Sequence, residues 1–123
     1  MNSGKSLNKM KKVGRKVKFN VRGEIFETYR STLRRFPETL LGQLNKRSEL
    51  YSRERDEYVL DRSRVCFGSI LYYYQTCILS CPLDVPIQVF VDECQHFQLP
   101  QDLVEDLKTK GEFSAFVCFA KIR

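Results

Sequence analysis

Between Val17 and Thr28 the chain alternates in chemistry from one residue to the next. Val17, Phe19 and Val21 are apolar, while Lys18, Asn20 and Arg22 are polar. Successive side chains of a strand point to opposite faces, so this run has one face for a core and one for water. Arg22-Gly23 can turn the chain, and Glu24 to Thr28 returns as a second strand. The spacing therefore predicts an N-terminal hairpin. A two-stranded hairpin is marginal alone, so later segments must supply the layer that covers its apolar face.

Those later segments read mostly as helices. Arg30-Ser31-Thr32 offers hydroxyl caps ahead of Leu33, which predicts a short helix. Phe36-Pro37 stops it, because the residue before a proline avoids the helical region. Thr39-Leu40-Leu41-Gly42 reads as one more turn with a glycine end cap. Residues 43–57 are polar and read as an exposed loop, partly helical; Tyr58-Val59-Leu60 is a short strand. From Arg64 to Gln75, Phe67, Ile70, Leu71 and Tyr74 fall at helical spacing on one stripe. Pro86 opens another helix with Ile87, Phe90, Cys94 and Phe97 on its apolar side. Leu103, Val104 and Leu107 line a further short helix ending at Gly111. The expected core contains Phe19, Phe26, Leu33, Phe67, Ile70, Leu71 and Phe90. The class is α+β: a small sheet that begins with the hairpin, covered by a helical cluster.

Charge and cysteine placement narrow the function classes. The 123 residues carry a net charge of +6, yet residues 1–18 hold seven Lys/Arg and no acid. The remaining 14 basic and 15 acidic residues nearly cancel. The basic character thus belongs to an arm, assigned to residues 1–16, and no basic face is expected on the domain at 17–111. Nucleic-acid binding has no support from this distribution. The arm reads as a solvated, disordered tail, with weak attraction to acidic lipid or a partner as the second reading. No apolar segment is long enough to span a bilayer or to act as an export signal, so a soluble, intracellular domain is expected. Residues 112–123 form an apolar tail or the start of a linker. The five cysteines, at 66, 77, 81, 94 and 118, are then expected as free thiols. Cys77-x3-Cys81 and Cys94-x-His96 lack the tight paired spacing of structural zinc sites, so no metal or other cofactor is expected.

No catalytic constellation emerges. His96 is the one histidine, and beside Phe97 on a helix it reads as a surface or partly packed residue rather than a base. Neither a phosphate-binding glycine loop nor a nucleophile elbow is present. Asp56-Glu57 and Asp92-Glu93 read as solvated acids. An enzyme is not expected. Tyr72-Tyr73-Tyr74 points three rings in directions about 100° apart on a helix. One ring can join the core, leaving two on the flanks, where an amphipathic ring suits either partial burial or a contact between subunits.

Taken together, the segments Val17–Thr28, Thr32-Leu33, Phe36-Pro-Glu-Thr-Leu-Leu-Gly42, Glu57–Arg62 and Phe67-Gly-Ser-Ile-Leu-Tyr-Tyr-Tyr-Gln75 resemble the cytoplasmic tetramerisation domain of voltage-gated potassium channels. That domain has the BTB/POZ fold, and the likeness runs from Val17 to Leu99. It is nearest the Shaker-type branch. Other branches carry an intersubunit zinc site built from a His, a later Cys and a Cys-Cys pair. Here Cys81 stands about where that His would fall, and no Cys-Cys pair exists.

The resemblance implies a fourfold ring of identical or related channel subunits at the cytoplasmic face of the plasma membrane, with a possible auxiliary cytoplasmic subunit. The membrane is reached only through a channel portion absent from these residues. It also implies a polar subunit interface, for which Asn20, Arg22, Glu27, Thr28, Arg30, Arg34, Asp61, Arg62, Arg64 and Gln75 are the expected residues. A closed ring needs two different complementary faces. The expectation assigns Arg22, Glu27 and Thr28 to one face, and Asp61, Arg64 and Gln75 to the other. The alternative is a related BTB substrate adaptor for a cullin-type ubiquitin ligase, which shares the hairpin and the Asp-Arg-…-Phe helix.

Overall fold

The computed structural model describes residues 15–109. Most of the basic arm, the helix end at Gly111 and the apolar tail lie outside the described residues. The hairpin is formed by β1 (Lys16–Val21) and β2 (Glu24–Tyr29). Short helices α1 (Arg30–Leu33) and α2 (Leu40–Gln43) follow. Then come β3 (Tyr51–Ser52), β4 (Glu57–Leu60), α3 (Arg64–Thr76) and α4 (Ile87–His96). A last helix, α5, covers 101–109. β1 opens at Lys16, one residue inside the stretch assigned to the arm.

The four strands run in the order β2-β1-β4-β3. β1 is antiparallel to β2 and parallel to β4, and β4 is antiparallel to β3. At the hairpin tip Arg22 and Gly23 have φ of 49° and 95°, the double positive φ of a tight two-residue turn. The parallel pairing of β1 and β4 needs a crossover, which α1 and α2 supply.

Val17, Phe19 and Val21 of β1 and Tyr58 and Leu60 of β4 form the inner face, buried against the helices. Phe67 of α3 is the hinge of this layer. Its ring meets Phe19 at 5.2 Å, Phe26 at 5.1 Å and Phe97 at 5.7 Å, so strand, hairpin and helix α4 close on one side chain. Leu33, Ile70, Leu71 and Phe90 are buried around it. Phe26 is half-buried, because β2 is an edge strand and the core covers only one side of its ring.

The segment Phe36–Gly42 is held by one hydroxyl. Thr39 caps α2, accepting from the Gly42 N–H at 3.1 Å, and donates to the Phe36 carbonyl at 2.7 Å. It also accepts from the Tyr74 hydroxyl at 2.5 Å. One donor and two lone pairs are thus all used, so a fully buried hydroxyl carries no penalty. Burial pushes the Tyr74 phenol well above its ordinary range. Gly42 is not the expected end cap: α2 runs on to Gln43. Glycine is required there because a Cβ would stand 1.9 Å from the Phe36 carbonyl oxygen.

Three further expectations are corrected. α1 is capped by Tyr29 without a side-chain bond, and Ser31 and Thr32 lie within it. Residues 43–57 are not simply an exposed loop, because Leu44 is buried and β3 completes the sheet edge. Two tyrosines rather than one are buried: Tyr73 stacks on Phe36 at 4.8 Å. That second apolar side of α3 is created by the Phe36 segment, which comes from elsewhere in the sequence. Arg35 from the same segment donates to the Tyr74 and Gln75 carbonyls, each at 3.2 Å, where a cation complements the helix C-terminus.

Candidate subunit interface

Strand alternation leaves a second sheet face that no helix among the described residues covers. Lys18 and Asn20 of β1, Ile25, Glu27 and Tyr29 of β2, and Val59 of β4 stand on it by register. Ile25, Tyr29 and Val59 are each 46–47% exposed, so one face presents three large apolar groups to solvent. Around them the polar groups are held in place. The Asn20 amide donates to Glu57 Oε1 at 3.0 Å and its carbonyl oxygen accepts from the Gly23 N–H at 2.8 Å. Both halves of Asn20 are therefore used, and Glu57 is buried beside it.

Arg22 and Asp61, assigned to opposite faces, form an ion pair within the monomer, with Arg22 Nε 2.7 Å from Asp61 Oδ1. Parallel pairing of β1 with β4 sets Val21 beside Leu60, so the residues that follow each strand become neighbours. No spacing in the sequence reports this juxtaposition of residues 39 positions apart. Both side chains are largely exposed, so the pair positions charge more than it stabilises.

Three other expected interface residues are engaged inward. Thr28 lies opposite Val17 on the inner face and is buried. Arg30 turns toward the chain and donates to the Leu44 carbonyl at 3.3 Å. Arg62 grips the Glu93 carboxylate with Nε at 3.2 Å and Nη2 at 2.5 Å, tying the start of α3 to α4. Bidentate pairing of this kind fixes geometry as well as charge. Glu27, Arg34, Arg64 and Gln75 are exposed.

A second surface lies on α3. Val65 and Tyr72, one helical repeat of seven apart, are both half or more exposed, and Arg64 and Gln75 flank them. The sequence reading passed over Val65 as well as Ile25 and Val59. Its signal was available: Val65 lies off the Phe67–Tyr74 stripe, and Ile25 and Val59 fall on the polar phase of their strands.

Acid–base or metal chemistry gains nothing from the geometry. His96 is exposed, with its ring edge on Phe97 at 5.0 Å. Partial burial lowers its pKa, and the nearby Arg62 guanidinium lowers it further. Burial raises the Cys94 thiol to about 12 and also raises Cys81, which keeps both protonated and poor as nucleophiles or ligands. Among the described residues no three His, Cys, Asp or Glu side chains gather closely enough to hold a metal ion, and no helix is long and apolar enough to cross a membrane.

Residues 17–107 match the BTB/POZ domain family. Over 99 residues, 80% of the chain, it is 41% identical to potassium voltage-gated channel subfamily A member 10 of Mus musculus. It is 44% identical over 88 residues, 71% of the chain, to subfamily A member 4 of Homo sapiens. Over 91 residues, 73% of the chain, it is 42% identical to subfamily A member 2 of Mus musculus. The aligned stretches cover 19%, 14% and 18% of those three proteins, so the likeness concerns less than a fifth of each. The α+β architecture, the matched family and these relatives agree: the chain belongs to the BTB/POZ domain family, in the branch represented by the Shaker-type, subfamily A potassium channels.

Proposed function

We propose that this chain is a tetramerisation domain that joins identical or related potassium channel subunits in a fourfold ring, and that it has no catalytic role. The observation that carries the reading is the uncovered sheet face, with Ile25, Tyr29 and Val59 half exposed among oriented polar groups. A half-apolar, half-polar surface of this kind suits an interface whose rim sets partner choice. A ring closes by head-to-tail contacts, so the sheet face needs a different surface to meet. The α3 stripe of Val65 and Tyr72, with Arg64 and Gln75 beside it, is that second surface in this reading. Glu27 on the sheet face and Arg64 on the helix then supply charges of opposite sign across the contact. Matched charges and hydrogen bonds of this kind would decide which related subunits co-assemble. The domain acts at the cytoplasmic face of the plasma membrane, as part of a longer channel subunit.

Light scattering coupled to size exclusion tests the reading. The expected mass is four times 14.5 kDa, unchanged by a chelator. A monomer or dimer that captures a cullin N-terminal region would replace the channel reading with the ligase-adaptor one. A chelator-sensitive tetramer would reinstate an intersubunit metal.

A further inference from the structure

The first half of β1 borders an open cleft of about 310 Å³, closed on its other sides by Arg30, Lys46 and the β3–β4 hairpin. Five cations line it: Arg15, Lys16, Lys18, Arg30 and Lys46. Asp56 is the single acid in the lining. This concentration departs from the charge balance of the domain as a whole, in which acids slightly outnumber bases beyond residue 18.

Two donors at this cleft lack acceptors. Arg30 Nε and the Tyr58 hydroxyl are buried and have no hydrogen-bond partner among the described residues, and both residues line the same cavity. Tyr58 is 3% exposed, so water outside the cleft does not reach it. A guanidinium N–H can only donate, and a phenol donates strongly. Buried donors left unpaired are rare in folded proteins, and two in one cavity call for an acceptor that the described residues do not supply. Asp56 does not fill that role. It already accepts from the Tyr51 hydroxyl and lies 4.0 Å from Lys46. That hydrogen bond, with Lys46 close by, holds its carboxyl below the usual range, so it stays ionised, and its contacts run to Tyr51 and Lys46 rather than to Arg30 or Tyr58.

We propose that this cleft binds a phosphoryl anion. A single carboxylate would leave most of the positive charge unbalanced. A phosphoryl group brings nearly two negative charges and three acceptor oxygens. The lysines can stand around it, and a small opening of the cleft wall brings the buried Arg30 and Tyr58 donors within its reach. The volume falls at the small end of ligand sites, which fits a pyrophosphate or a phosphorylated inositol ring. The inference does not require the assembly reading, and Lys18 is the one lining residue it shares with the sheet face of that reading.

Titration calorimetry of the whole chain with pyrophosphate tests the site. Saturable binding at one site per chain is expected. Tyr58→Phe should weaken it about tenfold, the scale of a lost hydrogen bond to a charged group. Lys46→Gln should weaken it several-fold, and Lys108→Gln on α5 should not change it. Without ligand, Tyr58→Phe should melt no lower than the parent, because the hydroxyl it removes has no partner. If that variant fails to fold, Lys46→Gln set against Lys108→Gln still decides. Co-sedimentation with phosphatidylcholine vesicles, with and without a bisphosphorylated phosphoinositide, separates the sources. Binding that Tyr58→Phe weakens assigns the site to a lipid headgroup. Vesicle binding indifferent to Tyr58→Phe, with pyrophosphate binding sensitive to it, assigns the site to a soluble polyphosphate. No saturable binding means the donors hold only water and overturns the proposal. Equal pyrophosphate binding by all variants overturns it too, since the basic arm would then be the anion's partner.

Discussion

The segment Phe36–Gly42 and the outer face of the sheet treat polar and apolar groups in opposite ways. In the first, Thr39, Gly42, Phe36 and Tyr74 satisfy one another completely inside the monomer. In the second, Ile25, Tyr29 and Val59 are left half exposed, although their polar neighbours Asn20 and Glu57 are locked in place. A region closed on itself is explained by folding alone. A region whose polar groups are fixed while its apolar groups stay exposed fits the subunit contact proposed above. The contrast predicts that substitutions in the first region cost stability and leave subunit contacts alone, while those in the second do the reverse.

The largest effect should come from Gly42→Ala. A Cβ placed 1.9 Å from a backbone oxygen cannot be absorbed by a rotamer change, so the turn must open. We expect a loss of about 3 kcal/mol, at the upper end for overpacking, read from urea denaturation. A cost under about 1 kcal/mol would show that the segment is loose and would erase the contrast.

Thr39→Val comes next. It keeps the shape but leaves the Gly42 N–H and the Tyr74 hydroxyl without their acceptor. A destabilisation of about 2 kcal/mol is expected. Adding Tyr74→Phe should recover part of it, since one of the two stranded donors is then gone. Full additivity in this double-mutant cycle would mean the two hydroxyls do not act as a unit.

On the sheet face, Val59→Glu should change monomer stability by less than about 0.5 kcal/mol, as exposed substitutions do. It should nevertheless shift the light-scattering mass from tetramer toward monomer. Tyr72→Glu on α3 should act in the same way if the helix stripe is the second face. A tetramer that survives both substitutions would move the interface elsewhere.

The smallest effect concerns pH. The folded-state pKa of His96 is lowered, by partial burial first and by Arg62 second, with Glu93 opposing. The unfolded chain therefore binds more protons just below its ordinary value of 6.5. Stability is full above that pH and declines as pH falls through it toward the folded value. Melting temperatures between pH 7.5 and 5.5 should show a slight fall in the parent, and His96→Gln should flatten it.

Much of this was legible in local pattern. Alternation marked β1, and the tight turn at Arg22-Gly23 followed from residue type. The 3.6-residue stripe marked α3, since Phe67, Ile70, Leu71 and Tyr74 are all buried. What local pattern hides is which distant segment arrives on each side. Tyr73 looked like a flank residue until Phe36 stacked on it. Gly42 looked like an end cap because the approach of the Phe36 carbonyl is not encoded in its own neighbours. Leu44 sits in a polar stretch whose composition predicts an exposed loop, yet it is buried.

The sequence by itself determined the class of elements, their order, the separation of the basic arm from a nearly neutral domain and, through its motifs, the family. Those follow from side-chain periodicity and residue type, which are properties of a chain before it folds. Tertiary structure alone decided which polar residues point outward, that Arg22 and Asp61 share one edge, and that Arg30 and Tyr58 meet over one cleft. Each depends on the parallel pairing of β1 with β4 and on the crossover between them. Such juxtapositions join residues tens of positions apart, and only the closed fold brings them together.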